Sequence, residues 1–207
     1  MKCYIFSSGQ ISSYDWLKEI DFSGVFVICA DGGIRHAKML GLSVDIWMGD
    51  GDSLDSEESL AKEIIKFPVK KDNTDTDLAV EYALERGFRD ITILGALGGR
   101  IDHEFSHFCL LKKIVNSGGK GFLLDEKNLI TMENKSFDLI NNGRKYVSFF
   151  PFGGDVENFS VKGLLYETEG IILESGKVQA SSNQFADSKK ARVTFDDGYI
   201  LVIFSDD

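Results

Sequence analysis

Acidic side chains recur in four short segments in the first half of the chain, and each segment also contains glycine or other residues typical of turns. The segments are residues 30–33, 49–53, 71–75 and 98–103. Carboxylates on tight turns suit Mg²⁺, a hard cation that takes a few carboxylate oxygens together with waters and substrate phosphates. Glycine in the same turns lets the backbone approach those phosphates closely. The combination predicts phosphoryl chemistry that depends on Mg²⁺.

Residues 49–53 give the sharpest local signal. Asp50 and Asp52 lie two positions apart, with Gly49 before them and Gly51 between them, so both carboxylates can bend toward one cation. A plain polar turn explains the same residues equally well, because Asp and Gly dominate turns. This segment alone leaves the two interpretations open.

The segment at 71–75 leads into a predicted helix. Thr74 or Asp75 is expected to cap that helix, and acidic residues in a first helical turn are favoured by the helix dipole. Capping and the dipole explain Asp77 without any metal. Asp75 can serve both purposes, because a helix that starts over a sheet edge also faces the ligand crevice.

Residues 98–103 join a predicted strand to a predicted helix. Gly99 permits close approach to a phosphate, the helix start offers N–H donors, and Arg100 can bind phosphate oxygens in a bidentate manner. The alternative makes Asp102 the N-cap of the helix and His103 a surface residue. The segment has neither the Gly-Lys-Ser/Thr of a P-loop nor Gly-x-Gly-x-x-Gly, so both of those fingerprints are absent.

Asp31 follows the second predicted strand and is followed by two glycines. In nucleotide-binding folds, an acid at such a position commonly meets a ribose hydroxyl. A plain turn is nearly as good an explanation of this fragment.

Strand-like and helix-like patterns alternate up to about residue 125, and this order predicts a parallel sheet with helices packed on it. In such sheets, ligands bind outside the carboxyl ends of the strands, where the four acidic segments are expected to converge. Strands are predicted at 3–7, 25–30, 90–94 and 121–124, and helices at 13–20, 34–40, 56–66, from 74 or 75 up to Gly87, and at 103–116.

After about residue 125 the helical periodicity is lost, and short β-rich runs with turn signals between them predict a small all-β sandwich or barrel. The predicted strands are 129–132, 137–140, 146–150, 170–173, 191–195 and 199–204. The polar segment 181–185 is predicted to be a loop. The fold class is therefore α/β: a parallel-sheet, Rossmann-like α/β domain at 1–125, and an all-β domain at 126–207.

Composition excludes several classes of protein. The formal net charge of −10 over 207 residues argues against nucleic acid and anionic membrane surfaces as partners. Three cysteines without a CxxC pair make a disulfide framework or a zinc site improbable. The longest apolar runs are far too short to cross a bilayer, and no signal-peptide pattern is present, so a cytoplasmic location is expected.

The motifs Ala-Asp-Gly-Gly, Gly-Asp-x-Asp-Ser, Lys-Asp-x-Thr-Asp and Gly-x-x-Gly-Gly-Arg-x-Asp-His occur in this order, followed by Ser-Asn in the β-rich half. Together they resemble the thiamine pyrophosphokinase family across nearly the whole chain. The resemblance implies transfer of an intact pyrophosphoryl group from ATP to the hydroxyethyl arm of thiamine, with AMP released and Mg²⁺ required. It also implies a homodimer, in which thiamine lies between the α/β domain of one subunit and the β domain of the other.

The resemblance implies roles for individual residues. The metal-binding acids are Asp50, Asp52 and Asp75, and these three together with Asp102 form the catalytic set. The residues on the nucleotide side are Asp31, Gly32, Asp72, Thr74, Gly99, Arg100 and Asp102. The residues that contact thiamine are Ser182 and Asn183. The chain departs from the family pattern at Gly51, where an aromatic residue such as Phe is usual, and at 179–181, which replace a glycine-containing approach to Ser-Asn.

Two other functions fit the acidic segments. A Mg²⁺-dependent phosphohydrolase that acts on a nucleotide or a small phosphoester would use water as the nucleophile. A non-catalytic sensor would bind nucleotide through the α/β half and a partner through the β half. The sequence also leaves the general base open among the three metal-binding acids and Asp102.

Overall fold

The computed structural model describes residues 1–51, 60–68, 73–186 and 189–207. The chain folds as two compact units, Met1–Glu126 and Lys127–Asp207. Two of the predicted site residues, Asp52 and Asp72, lie outside the described residues. The predicted assignment of catalysis to the first half and of thiamine binding to the second half stays a prediction.

Six parallel strands form the sheet of the first unit. Strand β1 is central, and the chain adds β2, β3 and β4 on one side before it returns to add β5 and β6 on the other. The direction of strand addition therefore reverses between β1 and β5, and the carboxyl ends of these two strands flank the crevice where open α/β sheets bind ligands. The strands are β1 (Lys2–Phe6), β2 (Phe26–Ala30), β3 (Val44–Gly49), β4 (Ala61–Lys66), β5 (Asp90–Leu94) and β6 (Lys120–Leu124).

Three α-helices accompany this sheet: α1 (Ile34–Met39), α2 (Asp75–Glu85) and α3 (Ile101–Asn116). The central strands are apolar on both sides, as parallel strands covered on both faces usually are. Four consecutive residues of β1 and four of β5 are buried. Helix α1 packs with Phe6 and Trp47 in one buried cluster, in which Ile34 and Ala37 come from the helix.

Two of the predicted helices in this unit are wrong. Residues 13–20 contain only a 3-10 turn at Trp16–Glu19, in which Leu17 is the one buried residue, so a longer helix there would gain little from packing. Residues Ala61–Lys66, predicted as the end of a helix, form β4 and pair in parallel with β3. The β-branched Ile64 and Ile65 favour a strand where a neighbouring strand is available. The sequence also missed β3 itself.

The second unit consists of two antiparallel sheets, with strand orders β12-β9-β14-β7 and β11-β10-β13-β8. Residues from both sheets share one buried cluster, in which the rings of Phe149 and Phe159 lie 5.5 Å apart. The strands are β7 (Asn128–Glu133), β8 (Phe137–Ile140), β9 (Tyr146–Pro151), β10 (Val156–Lys162), β11 (Thr168–Leu173), β12 (Ala180–Asn183), β13 (Lys190–Thr194) and β14 (Ile200–Ser205).

The two units confirm the mixed α/β class, with a parallel sheet first and an antiparallel β unit second. The likeness to Rossmann folds stays a prediction. The sequence missed β10 and β12, and the predicted loop at 181–185 is wrong in its first three residues, which belong to β12. Among the described residues, no helix is both long enough and apolar enough to span a bilayer.

The core of the second unit gives a direct test of this packing. Replacing Phe149, which is 1% exposed, with alanine removes a buried ring and leaves a cavity, so we expect a loss of about 3–5 kcal/mol in unfolding free energy. The half-exposed Ile172 of β11 is the control, and Ile172→Ala should change stability by only about 0.5 kcal/mol. Urea unfolding of the two variants measures both values, and similar losses would contradict the assigned core.

Candidate active site

Two loops meet where β1 and β5 end: residues 7–9, which follow β1, and residues 95–99, which follow β5. The backbone N–H of Gly9 donates to the carbonyl of Gly95 at 2.9 Å. A Cβ atom at Gly9 would lie only 2.2 Å from that carbonyl oxygen, and Gly95 has a φ of +67°. Both positions therefore require glycine, and the two loops can approach each other only because residues 9 and 95 have no side chain.

A set of side chains from α1 and its surroundings holds the 7–9 loop. The carbonyl of Gly9 accepts hydrogen bonds from His36 Nε2 at 2.8 Å and from Arg35 at 3.1 Å, and Arg35 also donates to the carbonyl of Ser8. Because a carbonyl only accepts, His36 Nε2 carries a proton, and Nδ1 is left to accept from the Tyr14 hydroxyl at 2.7 Å. Burial holds the pKa of His36 below its usual range, which favours this neutral, two-partner state.

Two cavities open at these loops. The first, termed the glycine-loop cavity, lies between the 7–9 and 95–99 loops and the start of α3, where Arg100 and Glu104 line it. The second, termed the acidic cavity, is lined by Asp31 and by the start of α2, including Asp75. Each has a volume of about 230 Å³. The two cavities share four lining residues, Ser7, Ser8, His103 and His107.

The start of α2 is fixed over the end of β1. The hydroxyls of Ser7 and Thr76, both buried, are hydrogen-bonded at 2.8 Å. Thr74 caps the helix, because its hydroxyl oxygen accepts from the backbone N–H of Asp77 at 3.2 Å. The prediction that Thr74 or Asp75 caps this helix is confirmed, with Thr74 as the cap. Asp75 is the first helical residue, and the structure places it on the wall of the acidic cavity.

Asp31 and Asp50 follow neighbouring strands, β2 and β3. Asp31 has a φ of +49°, and its carbonyl accepts from Trp47 Nε1 at 2.9 Å. A Cβ atom at Gly49 would lie 3.3 Å from the Cα of Asp31 and 2.6 Å from the Trp47 ring. Glycine there lets β3 end close beside Asp31. Asp50 follows directly in the chain, but it is not among the described residues that line the acidic cavity.

The carboxylates of Asp31, Asp50 and Asp75 at this edge are oxygen donors of the kind that a hard cation prefers. Within the described ranges, however, no three acidic, histidine or cysteine side chains lie close enough together to hold a metal. The predicted set of Asp50, Asp52 and Asp75 depends on Asp52, which lies outside the described residues, so it stays a prediction.

Arg100, which lines the glycine-loop cavity, pairs with Asp102. Arg100 Nε donates to Asp102 Oδ1 at 3.1 Å, and Nη2 donates to Oδ2 at 2.5 Å. The hydrogen bond from Arg100 holds the pKa of the exposed Asp102 carboxyl below its usual range. The alternative in which Asp102 caps α3 is wrong, since the helix begins at Ile101 and Asp102 is its second residue.

The backbone N–H of Gly99 donates to the carboxylate of Glu104 at 2.7 Å. This bond closes the turn that precedes α3.

Farther along α3, Lys113 pairs with Glu81 at 2.7 Å and with Asp77, and these contacts tie α3 to α2. Asp77 lies in the first turn of α2, as the sequence predicted, and its ion pair with Lys113 is a further structural contact that the sequence did not predict.

Two residues that line both cavities, His103 and His107, are absent from the site residues predicted from the sequence. His103 stands in a quoted motif but was given only a surface role. His107 was missed, although it is buried and its Nδ1 lies 2.8 Å from the carbonyl oxygen of Ala96. The spacing of four residues between them on one predicted helix was the available signal, because such residues share a helix face.

In the second unit, Asn183 organises the turn that carries Leu165 and Tyr166. Its Oδ1 accepts from the backbone N–H of Tyr166 at 3.0 Å, and its Nδ2 donates to the carbonyl of Tyr166 at 2.7 Å. Leu165 and Tyr166 are more than half exposed. Ser182 has a φ of +56°, and its N–H donates to the hydroxyl of Ser148 at 2.9 Å. The amide of Asn183 therefore positions the turn, while the Ser182 side chain is exposed beside it.

Comparison with known proteins covers both units. Residues 20–122 match the family model described as thiamin pyrophosphokinase, catalytic domain, and residues 135–200 match that described as thiamin pyrophosphokinase, vitamin B1 binding domain. Thiamine pyrophosphokinase of Bacillus subtilis is 31% identical over 166 residues, which are 77% of each chain. This chain belongs to the thiamine pyrophosphokinase family. The predicted enzyme class, a diphosphotransferase, is thereby confirmed, and the phosphohydrolase alternative is not favoured.

Two solved structures of the family extend over the whole chain. The thiamine pyrophosphokinase of Bacillus subtilis has a TM-score of 0.89 at 26% identity, and the thiamin pyrophosphokinase family protein of Enterococcus faecalis has a TM-score of 0.88 at 28% identity. In both cases the match covers 100% of each chain. The two-unit fold is therefore that of the family.

The hydrogen bond between Tyr14 and His36 should stabilise the 7–9 loop measurably. Tyr14→Phe leaves the buried His36 Nδ1 without its donor, so we expect a loss of about 1–3 kcal/mol in unfolding free energy and weaker ATP binding. Tyr4→Phe is the matched control, because the Tyr4 hydroxyl has no hydrogen bond within the described residues and its ring lies in the same cluster. Denaturant unfolding and ATP titration of both variants check this, and equal effects would contradict the role of Tyr14.

Proposed function

We propose that the chain transfers the pyrophosphoryl group of ATP to the hydroxyl of thiamine, producing thiamine pyrophosphate and AMP. The observation that carries this proposal is the juxtaposition of the glycine-loop cavity and the acidic cavity at the reversal of strand order, in a chain whose two halves match both domains of the family. Loops built on glycine suit phosphates, and the neighbouring carboxylates suit a divalent cation.

The first unit is proposed to bind the nucleotide. Arginine has five N–H donors, and Asp102 uses two of those of Arg100, so others remain for phosphate oxygens. The N-terminal turns of α2 and α3 line the two cavities, and backbone N–H groups at helix starts favour anions. Asp31 and Gly32 are proposed to bound the nucleotide site, together with Thr74, Gly99 and Asp72.

The acids at the sheet edge are proposed to hold Mg²⁺ through Asp50, Asp52 and Asp75. When bound, the cation would neutralise charge that develops on the transferred group and help to fix in-line geometry. Asp102 is a poor candidate for the general base, because its pairing with Arg100 lowers its pKa and weakens it as a proton acceptor.

The second unit is proposed to bind thiamine. Ser182 offers an exposed hydroxyl, and Tyr166 and Leu165 offer apolar surface held in place by Asn183. An acidic chain also suits thiamine, which is a cation. The resemblance to the family supports a homodimer, with each thiamine site completed by the partner subunit, and a cytoplasmic location where ATP is abundant.

The nucleotide product decides between this reaction and its rivals. With ATP, Mg²⁺ and thiamine present, we expect AMP and thiamine pyrophosphate in equal amounts, and neither should form when thiamine is omitted. Chromatography of the nucleotides and of the thiamine species measures both. ADP as the product would mean ordinary kinase chemistry, and nucleotide breakdown without thiamine would mean hydrolysis; either result contradicts the proposal.

Asp75 and Asp77 form a matched pair for testing the acidic cavity. Asp75→Asn removes a carboxylate from the cavity wall, and we expect turnover to fall roughly a hundredfold to a thousandfold, as for loss of a principal charge stabiliser. Asp77→Asn removes a carboxylate from the same helical turn, but Glu81 still pairs with Lys113, so turnover should change by less than about threefold. Steady-state rates and circular dichroism spectra of both variants check this. Comparable turnover in the two folded variants would show that Asp75 is not part of the active site.

A further inference from the structure

His107 lies where the two cavities meet and has one ring nitrogen already committed. Its Nδ1 is 2.8 Å from the carbonyl oxygen of Ala96, and a carbonyl can only accept, so Nδ1 must carry a proton. In the neutral ring, the lone pair is therefore on Nε2. No side chain or backbone group of the described residues forms a hydrogen bond with that atom, although the residue is 95% buried (5% exposed).

The position of the ring indicates what Nε2 would meet. His107 is one of four residues that line both cavities, together with Ser7, Ser8 and His103. Under the proposed function, a polyphosphate chain must run from the glycine loops to the acidic residues and so pass this shared wall. Fully ionised phosphate oxygens accept hydrogen bonds and donate none. A neutral ring that offers only a lone pair at Nε2 cannot bond them.

We propose that His107 contacts the phosphates of the bound nucleotide through Nε2 and that this atom takes up a proton when the nucleotide binds. The inference rests on the proposed function for the identity of the ligand. The backbone bond from Nδ1 to Ala96 fixes the ring orientation in both protonation states, because Nδ1 is a donor in each. Nucleotide binding therefore changes the protonation of Nε2 alone.

The surroundings of the ring agree with a neutral resting state. Burial, which disfavours the charged ring, holds the pKa of His107 below its usual range, and the nearby His103 acts in the same direction. The bond to Ala96 and the carboxylate of Glu104 act against these effects without cancelling them. The charged groups that other elements bring to the cavity walls are Asp31, Asp75 and Arg100.

These protonation states determine how nucleotide affinity depends on pH. A phosphate beside Nε2 favours the charged ring, so the pKa of His107 is higher in the complex than in the free protein. Between these two pKa values, nucleotide affinity falls as pH rises, by up to about tenfold per pH unit. Above the higher value the contact is lost and the affinity levels off.

The test uses nuclear magnetic resonance of the histidine rings, because the chain has three histidines. His103→Asn identifies one signal, and Tyr14→Phe shifts the His36 signal through its bond to Nδ1. The remaining signal is that of His107, so its assignment requires no substitution at His107 itself. Ring signals are followed from about pH 5 to about pH 9, which spans the range in which histidine titrates, in the full chain with and without saturating ADP.

We expect ADP to raise the titration midpoint of His107 by about one pH unit or more. Calorimetry in two buffers of different ionisation enthalpy should show that His107→Asn, whose amide can still donate to Ala96, takes up fewer protons on ADP binding than the wild type. His103→Asn is the matched control and should retain the uptake.

Three results would overturn the inference. If ADP binds without changing the titration midpoint of His107, the proposed contact does not exist, and the proposed function is unaffected. A midpoint that falls only when thiamine is added would show that neutral Nε2 accepts from the thiamine hydroxyl instead. A failure of ADP to bind at all would count against the proposed function itself, and the inference would fall with it.

Discussion

The close approach of two glycine loops, 7–9 and 95–99, is the constraint on which the rest of the site depends. Gly9 and Gly95 meet backbone to backbone, at a distance that no side chain at Gly9 would permit. Because β1 and β5 are the strands between which the chain reverses its direction of addition, this contact fixes both sides of the crevice at once. Every lining residue of the glycine-loop cavity comes from these loops or from the start of α3, which follows directly.

The polar contacts around this crevice mostly end on backbone atoms rather than on other functional side chains. His36 and Arg35 bind the carbonyl of Gly9, and His107 binds that of Ala96. Such bonds hold the main chain in place and leave the remaining polar groups available to a ligand. A hydrogen-bonded loop of this kind loses little conformational entropy when it binds phosphate, which is how a preorganised site gains affinity.

The sequence predicted the mixed α/β class, the helix start at Thr74 and the place of Asp31 and Asp75 at one edge of the sheet. These depend on local turn chemistry and on strand order, which a single sequence carries. It wrongly predicted a helix over Ala61–Lys66, because pairing with β3 is a tertiary contact that outweighs local propensity. His107 was missed for a similar reason: its significance comes from the carbonyl of Ala96 and from the two cavities that it lines, which are tertiary features.

A chain with a formal charge of −10 must still offer a favourable potential to a polyanion if it is to bind a nucleotide. The local charges at the crevice differ from the average, since the N-terminal turns of α2 and α3 contribute backbone N–H groups and Arg100 adds a full positive charge. The carboxylates of the acidic cavity oppose this, and a divalent cation held there would offset that repulsion when nucleotide binds. An imidazole between the two regions can add positive charge only when the phosphates are present, so the empty site avoids the cost of burying a charge there.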